Sequence, residues 1–186
     1  VDDVGIGRVD DDAPDVVTQL VEEDLGCALT DVFAEFNEIP VASASIGQVH
    51  KARLKTGERV VVKVQHAGIE NKVNEDLDVL NGLAQLAEQI SELRAYRPNA
   101  NMAEMGPTLR RELDFGREER NLHQFAQLFK DDPTICIPRA YTELSTPRVF
   151  TLDMIDGIPV AEPALLEAAG LDRAEVARRG AEIYMQ

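Results

Sequence analysis

The chain has 186 residues, 44% of them hydrophobic and 28% charged, with a formal net charge of −15. That is enough for one ordinary domain, or one lobe of a larger one, and the composition is that of a soluble globular protein. The acidity argues against non-specific nucleic-acid binding, which rewards clustered Lys and Arg, and no segment approaches the roughly 18–20 apolar residues that span a bilayer.

Asp2, Asp3, Asp10, Asp11, Asp12 and Asp15 make the start an acidic, solvated face. Asp12-Ala13-Pro14 reads as a helix start, with Pro inside the first turn. Val16, Val17, Leu20, Val21 and Leu25 then form an apolar stripe closed by Gly26. Thr30 is placed to cap a second short helix, in which Leu29, Val32, Phe33 and Phe36 recur at helical spacing. Beyond residue 40 the period changes. Val49 to Leu54 and Arg59 to Gln65 read as strands joined by the turn Lys55-Thr56-Gly57-Glu58. The run Val60, Val61, Val62, Val64 predicts a strand covered on both faces, where Lys63 is costly without a partner.

Ile69, Val73, Leu77, Leu80, Leu83, Ala87, Ile90 and Leu93 predict a long amphipathic helix over 69–93. A second long helix fills much of 101–129, with a late start or a kink from Pro107 and Gly116. Thr134–Pro138 and Arg148–Ile155 read as strands around a turn at 142–147, and helices follow at about 161–169 and 172–186. Cys27 and Cys136, the only cysteines, read as free thiols. The chain lacks an initiator Met and stops within an apparent helix, so it reads as a piece of a longer protein.

The chemistry concentrates around Pro40-Val41-Ala42-Ser43-Ala44-Ser45-Ile46-Gly47-Gln48-Val49-His50. Small side chains let backbone amides approach a phosphate, and the following strand delivers Lys63, the pairing by which kinase-like folds hold ATP. Carboxylates to balance the lysine are available in Glu112-Leu113-Asp114-Phe115-Gly116-Arg117-Glu118-Glu119. On a helix Asp114 and Glu118 share a face and Glu112 projects from another. The bland alternative is a solvated acidic face balanced by Arg110, Arg111, Arg117 and Arg120.

Together these blocks resemble the UbiB/ADCK (aarF-domain) family of atypical kinases. The small-residue block looks like that family's alanine-rich loop, and Lys63 falls at its nucleotide-binding lysine. Glu112-x-Asp114 matches the acidic ExD motif, Glu118 the glutamate that pairs with the lysine, and Val149 to Gly157 the hinge. The resemblance implies an α+β fold: a protein-kinase-like N-lobe with a small antiparallel sheet, helical insertions, and a C-lobe cut short. It divides the chain into a lead and helical extension at 1–36, the lobe through the hinge at 37–157, and the start of the C-lobe at 158–186.

It further implies ATP or ADP as ligand, with Lys63 and Glu118 in catalytic roles. Val41, Ala42, Ser43, Ala44, Ser45, Ile46, Gly47, Gln48 and Val49 would cover the phosphates, and Asp153, Met154 and Ile155 would form the hinge contacts. Glu112 and Asp114 would be regulatory, standing where a protein substrate enters. Ser43 stands where many members have Ala, and Asp153 where the hinge glutamate is usual. The family's Lys-x-Gly-Gln motif, His-x-Asp catalytic loop and metal-binding Asp-Phe-Gly are expected outside these residues, so no metal ligand for Mg²⁺ is assigned here and the piece alone is expected to be inactive.

Asp114-Phe115-Gly116 spells that metal motif but precedes the hinge, and no catalytic loop comes before it. His50, His66 and His123 read as ordinary strand, turn and helix-surface residues. The implied role of the parent is ATPase or kinase-like chemistry supporting ubiquinone or a related isoprenoid quinone. Its implied setting is the cytoplasmic side of a membrane, near quinone-biosynthesis proteins and lipid intermediates. Two other classes stay open: a non-catalytic interaction module using the 69–93 helix, and a conventional Ser/Thr kinase N-lobe. The missing Gly-x-Gly pattern and the extra helix between Lys63 and Glu118 speak against the last.

Overall fold

The alternation in one strand decides where the core sits. The computed structural model describes residues 11–185, so Asp2, Asp3, Asp10 and Gln186 lie outside the described residues. Strands β1 (Phe33–Phe36), β3 (Gly47–Leu54), β4 (Arg59–Gln65) and β5 (Val149–Asp153) pair in the order β1-β3-β4-β5, and β2 (Ala42–Ala44) also pairs β3. Every pairing is antiparallel. On β4, Val60, Val62 and Val64 are completely buried, while Val61 and Lys63 are only partly so. The strand is therefore sealed on one face, not on two as its valine density suggested. Side chains alternate across a strand, so the lysine leaves the core by position alone.

The sealed face packs on helix α1 (Pro14–Leu25), whose Val17, Leu20 and Val21 recur at helical spacing and join Phe33, Leu54, Tyr141 and Val149 in one cluster. Each fully buried valine contributes roughly 1.5–3 kcal/mol by removal from water, an upper figure for a real unfolded chain. Gly26 ends α1 at φ +69°, its N–H donating to the Glu22 carbonyl at 2.9 Å. Residues 14–36 thus share their core with the sheet.

The predicted helix through Phe36 stops at α2 (Leu29–Val32), and its N-cap is Ala28 rather than Thr30. Phe33–Phe36 is instead edge strand β1, with a bulge between Phe33 and Glu35. The extra residue re-phases the strand, so two phenylalanines three positions apart meet at 5.6 Å between ring centroids. A spacing that reads as helical is accommodated in a strand.

Helix α3 (Ile69–Gln89) packs against α5 (Pro98–Glu112), with a short α4 (Ser91–Arg94) between them. Of the predicted stripe Leu77 is buried, joined by Ala84 from outside it, whereas Leu80, Leu83, Ile90 and Leu93 are exposed. The predicted 101–129 helix is two helices. α5 starts early and runs through Pro107, then the chain breaks at Leu113 and Asp114, and α6 (Phe115–Leu128) follows. Thr134–Pro138 is not a strand, and only Ala140 bridges to Leu152. Pro133 and Pro138 have no N–H to give a ladder.

Val1–Met154 and Ile155–Gln186 form two compact units. The second contains α7 (Pro163–Ala168) and α8 (Arg173–Tyr184), the latter capped by Asp172, which accepts from the Ala174 N–H at 2.9 Å. No helix among the described residues is long and apolar enough to cross a membrane.

Candidate functional site

The small-residue block folds as a tight hairpin rather than an open loop. Ala42 lies opposite Val49, Ser43 opposite Gln48 and Ala44 opposite Gly47, leaving Ser45 and Ile46 as the turn. The Val41 N–H donates to the Val49 carbonyl at 2.8 Å, and Ala42, Ser43, Ala44 and Ser45 are exposed. Gln48 turns its side chain inward, which leaves only its backbone for the expected covering role. It is fully buried, its amide oxygen accepting from the Asp12 N–H at 3.0 Å and its amide nitrogen 3.1 Å from His50 Nε2. A side chain held this way inside the protein cannot cover a phosphate.

Two histidines anchor the hairpin from below. His50 Nδ1 lies 2.8 Å from the Asn37 carbonyl oxygen, so it donates there, and Nε2 accepts from Gln48. Burial holds the His50 pKa below the ordinary histidine value, against the opposing pull of Asn37 and Asp11. His66 places Nε2 2.9 Å from the Ala44 carbonyl and Nδ1 2.8 Å from Asp12 Oδ2, while its own N–H donates to the Ile46 carbonyl at 3.1 Å. His66 thereby ties the turn of the hairpin to the segment entering α1. His123 is exposed on α6, 3.4 Å from Thr142 Oγ1.

On the open face of the sheet, Lys63 lies between Val49 of β3 and Phe150 of β5, and Val61 pairs with Leu152. Val49, Val61 and Leu152 are all partly exposed. They form an apolar floor beside the lysine. The Lys63 ammonium donates to Glu118 Oε1 at 2.6 Å and sits 4.3 Å from the centroid of the Phe115 ring. Their side chains are 24% and 45% exposed, so the pair is open to a ligand from solvent. Gln65, buried at the end of β4, donates to the carbonyls of Leu113 and, at 3.3 Å, Pro147, fixing the break between α5 and α6.

Asp114 does not share the α6 face with Glu118. It is the N-cap of α6, with Oδ1 accepting from the Gly116 N–H at 2.9 Å and Oδ2 from Arg120 at 3.2 Å. Glu112 is exposed at the end of α5. The Asp153 carboxylate accepts from the Tyr141 hydroxyl at 2.8 Å and the Arg139 N–H at 3.2 Å. The Met154 N–H donates to the Arg59 carbonyl at 3.0 Å, so the expectation that it offers this amide to a ligand fails. Ile155 opens the second unit and is 49% exposed.

Among the described residues no three His, Cys, Asp or Glu side chains gather to hold a metal ion. A groove of about 640 Å³ along α1 is lined by Asp15, Glu22, Glu23 and Glu38 and would repel phosphate. Sequence reasoning missed Phe115, Gln65, Val61 and Leu152. Val61 was reachable by counting in twos from Lys63, and Leu152 only through the pairing of β5 with β4, whereas Phe115 and Gln65 carry no local signal.

The sequence profile of the ABC1 atypical kinase-like domain matches residues 8–186. A protein of Pseudomonas aeruginosa described as "Probable protein kinase UbiB" is 38% identical over 172 residues, covering 92% of this chain and 32% of that one. "Uncharacterized protein sll1770" of Synechocystis is 36% identical over 167 residues, covering 89% and 28%. The solved complex of Rv3197 with erythromycin from Mycobacterium tuberculosis matches with TM-score 0.68 and 31% identity, over 82% of this chain and 38% of that one. The chain spans about a third of the length of the curated relatives it matches.

Proposed function

The chain belongs to the ABC1 atypical kinase-like family, and from that premise we propose that its first unit is the ATP-binding portion of an atypical kinase or ATPase. The parent protein would support biosynthesis of ubiquinone or a related isoprenoid quinone, acting beside quinone-biosynthesis proteins and lipid intermediates at the cytoplasmic side of a membrane. The observation that carries the reading is the 2.6 Å contact between Lys63 and Glu118 next to an exposed hairpin of small residues.

The residues present suit a nucleoside di- or triphosphate. Glu118 keeps the Lys63 ammonium charged and aimed, and Lys63 reaches the α- and β-phosphates. The backbone of Ala42, Ser43, Ala44 and Ser45 covers them at close range. Val49, Val61 and Leu152 offer apolar surface for a flat base. ATP supplies the phosphoryl group and Mg²⁺ offsets its charge; the metal's ligands and the catalytic base would come from the rest of the parent, so this chain alone turns over little ATP. Glu112 and Asp114 stand at the α5–α6 break, with Asp114 acting on substrate entry only through the helix it caps.

The test is the thermal shift induced by ADP and ATP in the wild-type chain and in Lys63→Ala, with folding of both checked by circular dichroism. Wild type is expected to be stabilised and the variant not. Equal shifts would remove Lys63 from the site. A second reading, a non-catalytic interaction module, is favoured by the exposed Val79, Leu83 and Leu86 along α3 and Ile90 just past its end. It gains if the wild type shows no shift with either nucleotide.

A further inference from the structure

The triplet Asp114-Phe115-Gly116 precedes the hinge, out of order for a metal motif, and each of its residues has a task in the fold. Asp114 leaves the helical conformation, at φ −94° and ψ 96°, and its carboxylate receives the Gly116 N–H. That cap makes Phe115 the first residue of α6. Phe115 gives its own N–H, otherwise unpaired at a helix start, to the Pro147 carbonyl at 3.0 Å. The helix origin is thus fixed at two points, one by a side chain and one by the strand-side loop.

With the origin fixed, geometry decides what α6 presents. Residues three apart are neighbours on a helix surface, so Phe115 and Glu118 project side by side. Both converge on Lys63, the carboxylate at 2.6 Å and the ring centroid at 4.3 Å. The ring is completely buried, with Ala140 and Phe150 around it and Ile46, Leu122 and Leu152 packed against that group. A face of an aromatic ring carries negative potential and attracts a cation laid over it. A leucine in the same space would fill the volume and offer no such potential.

We propose that Phe115 is a positioning residue for the strand lysine: its buried ring face, set by the Asp114 cap, holds the Lys63 ammonium beside Glu118 with its remaining N–H bonds free for an anionic phosphate. This rests on the nucleotide-site reading above. Ile46 belongs to the turn of the hairpin and Leu152 to the base-side floor, so the ring's surroundings join lysine, cover and floor. The Asp-Phe-Gly spelling is then a helix-start device in this chain.

The experiment uses the full chain and two readouts. The first is the ¹³C–¹H spectrum of the lysine ε-CH₂ groups, of which the chain has five, with Lys63 assigned through Lys63→Arg. The Lys63 signal is expected upfield of the others by ring current and is expected to lose that displacement in Phe115→Leu. The second is ADP affinity with Phe115 replaced by difluoro- and trifluorophenylalanine, which nearly keep its shape and weaken its negative face. Affinity is expected to fall stepwise, to a total of roughly twofold to thirtyfold for loss of the whole interaction. A purely structural ring would change melting temperature in Phe115→Leu and leave the fluorinated series flat. An undisplaced Lys63 signal, or nucleotide binding that is flat across the folded series, overturns the proposal. A displaced signal with no nucleotide binding upholds the lysine's placement and overturns the phosphate partner, the point at which the nucleotide reading itself fails.

Discussion

Gly47→Ala tests whether the glycine of the small-residue block answers to a phosphate or to the sheet. A Cβ there would stand 2.5 Å from the Val64 carbonyl oxygen and 3.2 Å from the Gln65 Cα. Comfortable contacts between carbons lie at roughly 3.5–4.0 Å, and both obstructing atoms belong to the backbone of the neighbouring strand, which cannot swing aside. Gly47 is paired with Gln65 in the register, so relief means prising β3 from β4 where the hairpin joins the sheet. Overpacking of this kind costs about 1–3 kcal/mol, which for a chain of this size lowers the melting temperature by roughly 2–12 °C. The assay is thermal and urea unfolding without any nucleotide, where the midpoint should fall with an unchanged urea slope. Ser43→Ala, on the exposed strand β2, should stay within about 0.5 kcal/mol of wild type. A Gly47→Ala chain that melts with the wild type would refute the reasoning and return the glycine to the ligand.

Asp114→Ala should cost about 1 kcal/mol through loss of the α6 cap, whereas Asp114→Asn, an equally good cap, should cost little; equal losses in urea melts would show that charge, not capping, matters there. His66→Gln keeps one donor where the ring meets two oxygens, Asp12 Oδ2 and the Ala44 carbonyl. Because Asp12 Oδ2 keeps the Ala67 N–H, the lost bond should cost about 0.5–1.5 kcal/mol, and amide hydrogen exchange should quicken at residues 42–46 ahead of the other strands. For His50, burial lowers the native pKa from 6.5, so the unfolded chain takes up a proton that the folded one refuses. The His50 contribution is present above pH 6.5 and is lost as pH falls through the depressed native value. Acid titration of stability should therefore be shallower in His50→Gln, and superimposable curves would count against it.

The hairpin of β3 and β4 was legible because alternation and a turn coincide between Val49 and Gln65. The neighbouring edge strand was not, since its bulge lets Phe33 and Phe36 mimic a helix repeat. The 134–138 segment was misread from its apolar residues, although its prolines deny it a ladder. At 113–114 the apolar spacing runs through a break that only a capping geometry reveals. The stripe over 69–93 reads as one apolar face along its whole length, yet among the described residues nothing covers Leu83 or Ile90. The partners of Lys63 divide in the same way: Glu118 was reachable only through a family likeness, because 55 positions separate the two (118 − 63), and Phe115 was hidden inside a motif that suggested a metal. Local patterns specify elements, whereas the meeting of a strand lysine with a helix start is fixed by packing.

Stability does not account for a lysine at position 63. An ion pair with both partners open to water contributes about 0–1 kcal/mol, and a cation over an aromatic face adds a comparable amount. Val61, two residues earlier on the same face, shows that a branched apolar side chain suits this surface. Replacing a paired charge by a well-packed apolar residue is often neutral or stabilising, so folding alone offers no reason to hold an ammonium here. A chain with a net charge of −15 favours a cation in general, yet here the cation is oriented by a carboxylate on one side and a ring face on another, with its side chain partly open to solvent. A cation so held, and so little needed by the fold, is the feature that the nucleotide proposal explains. The exposed residues Ala42, Ser43, Ala44 and Ser45 and the apolar floor would suit a nucleotide better than a lone ion.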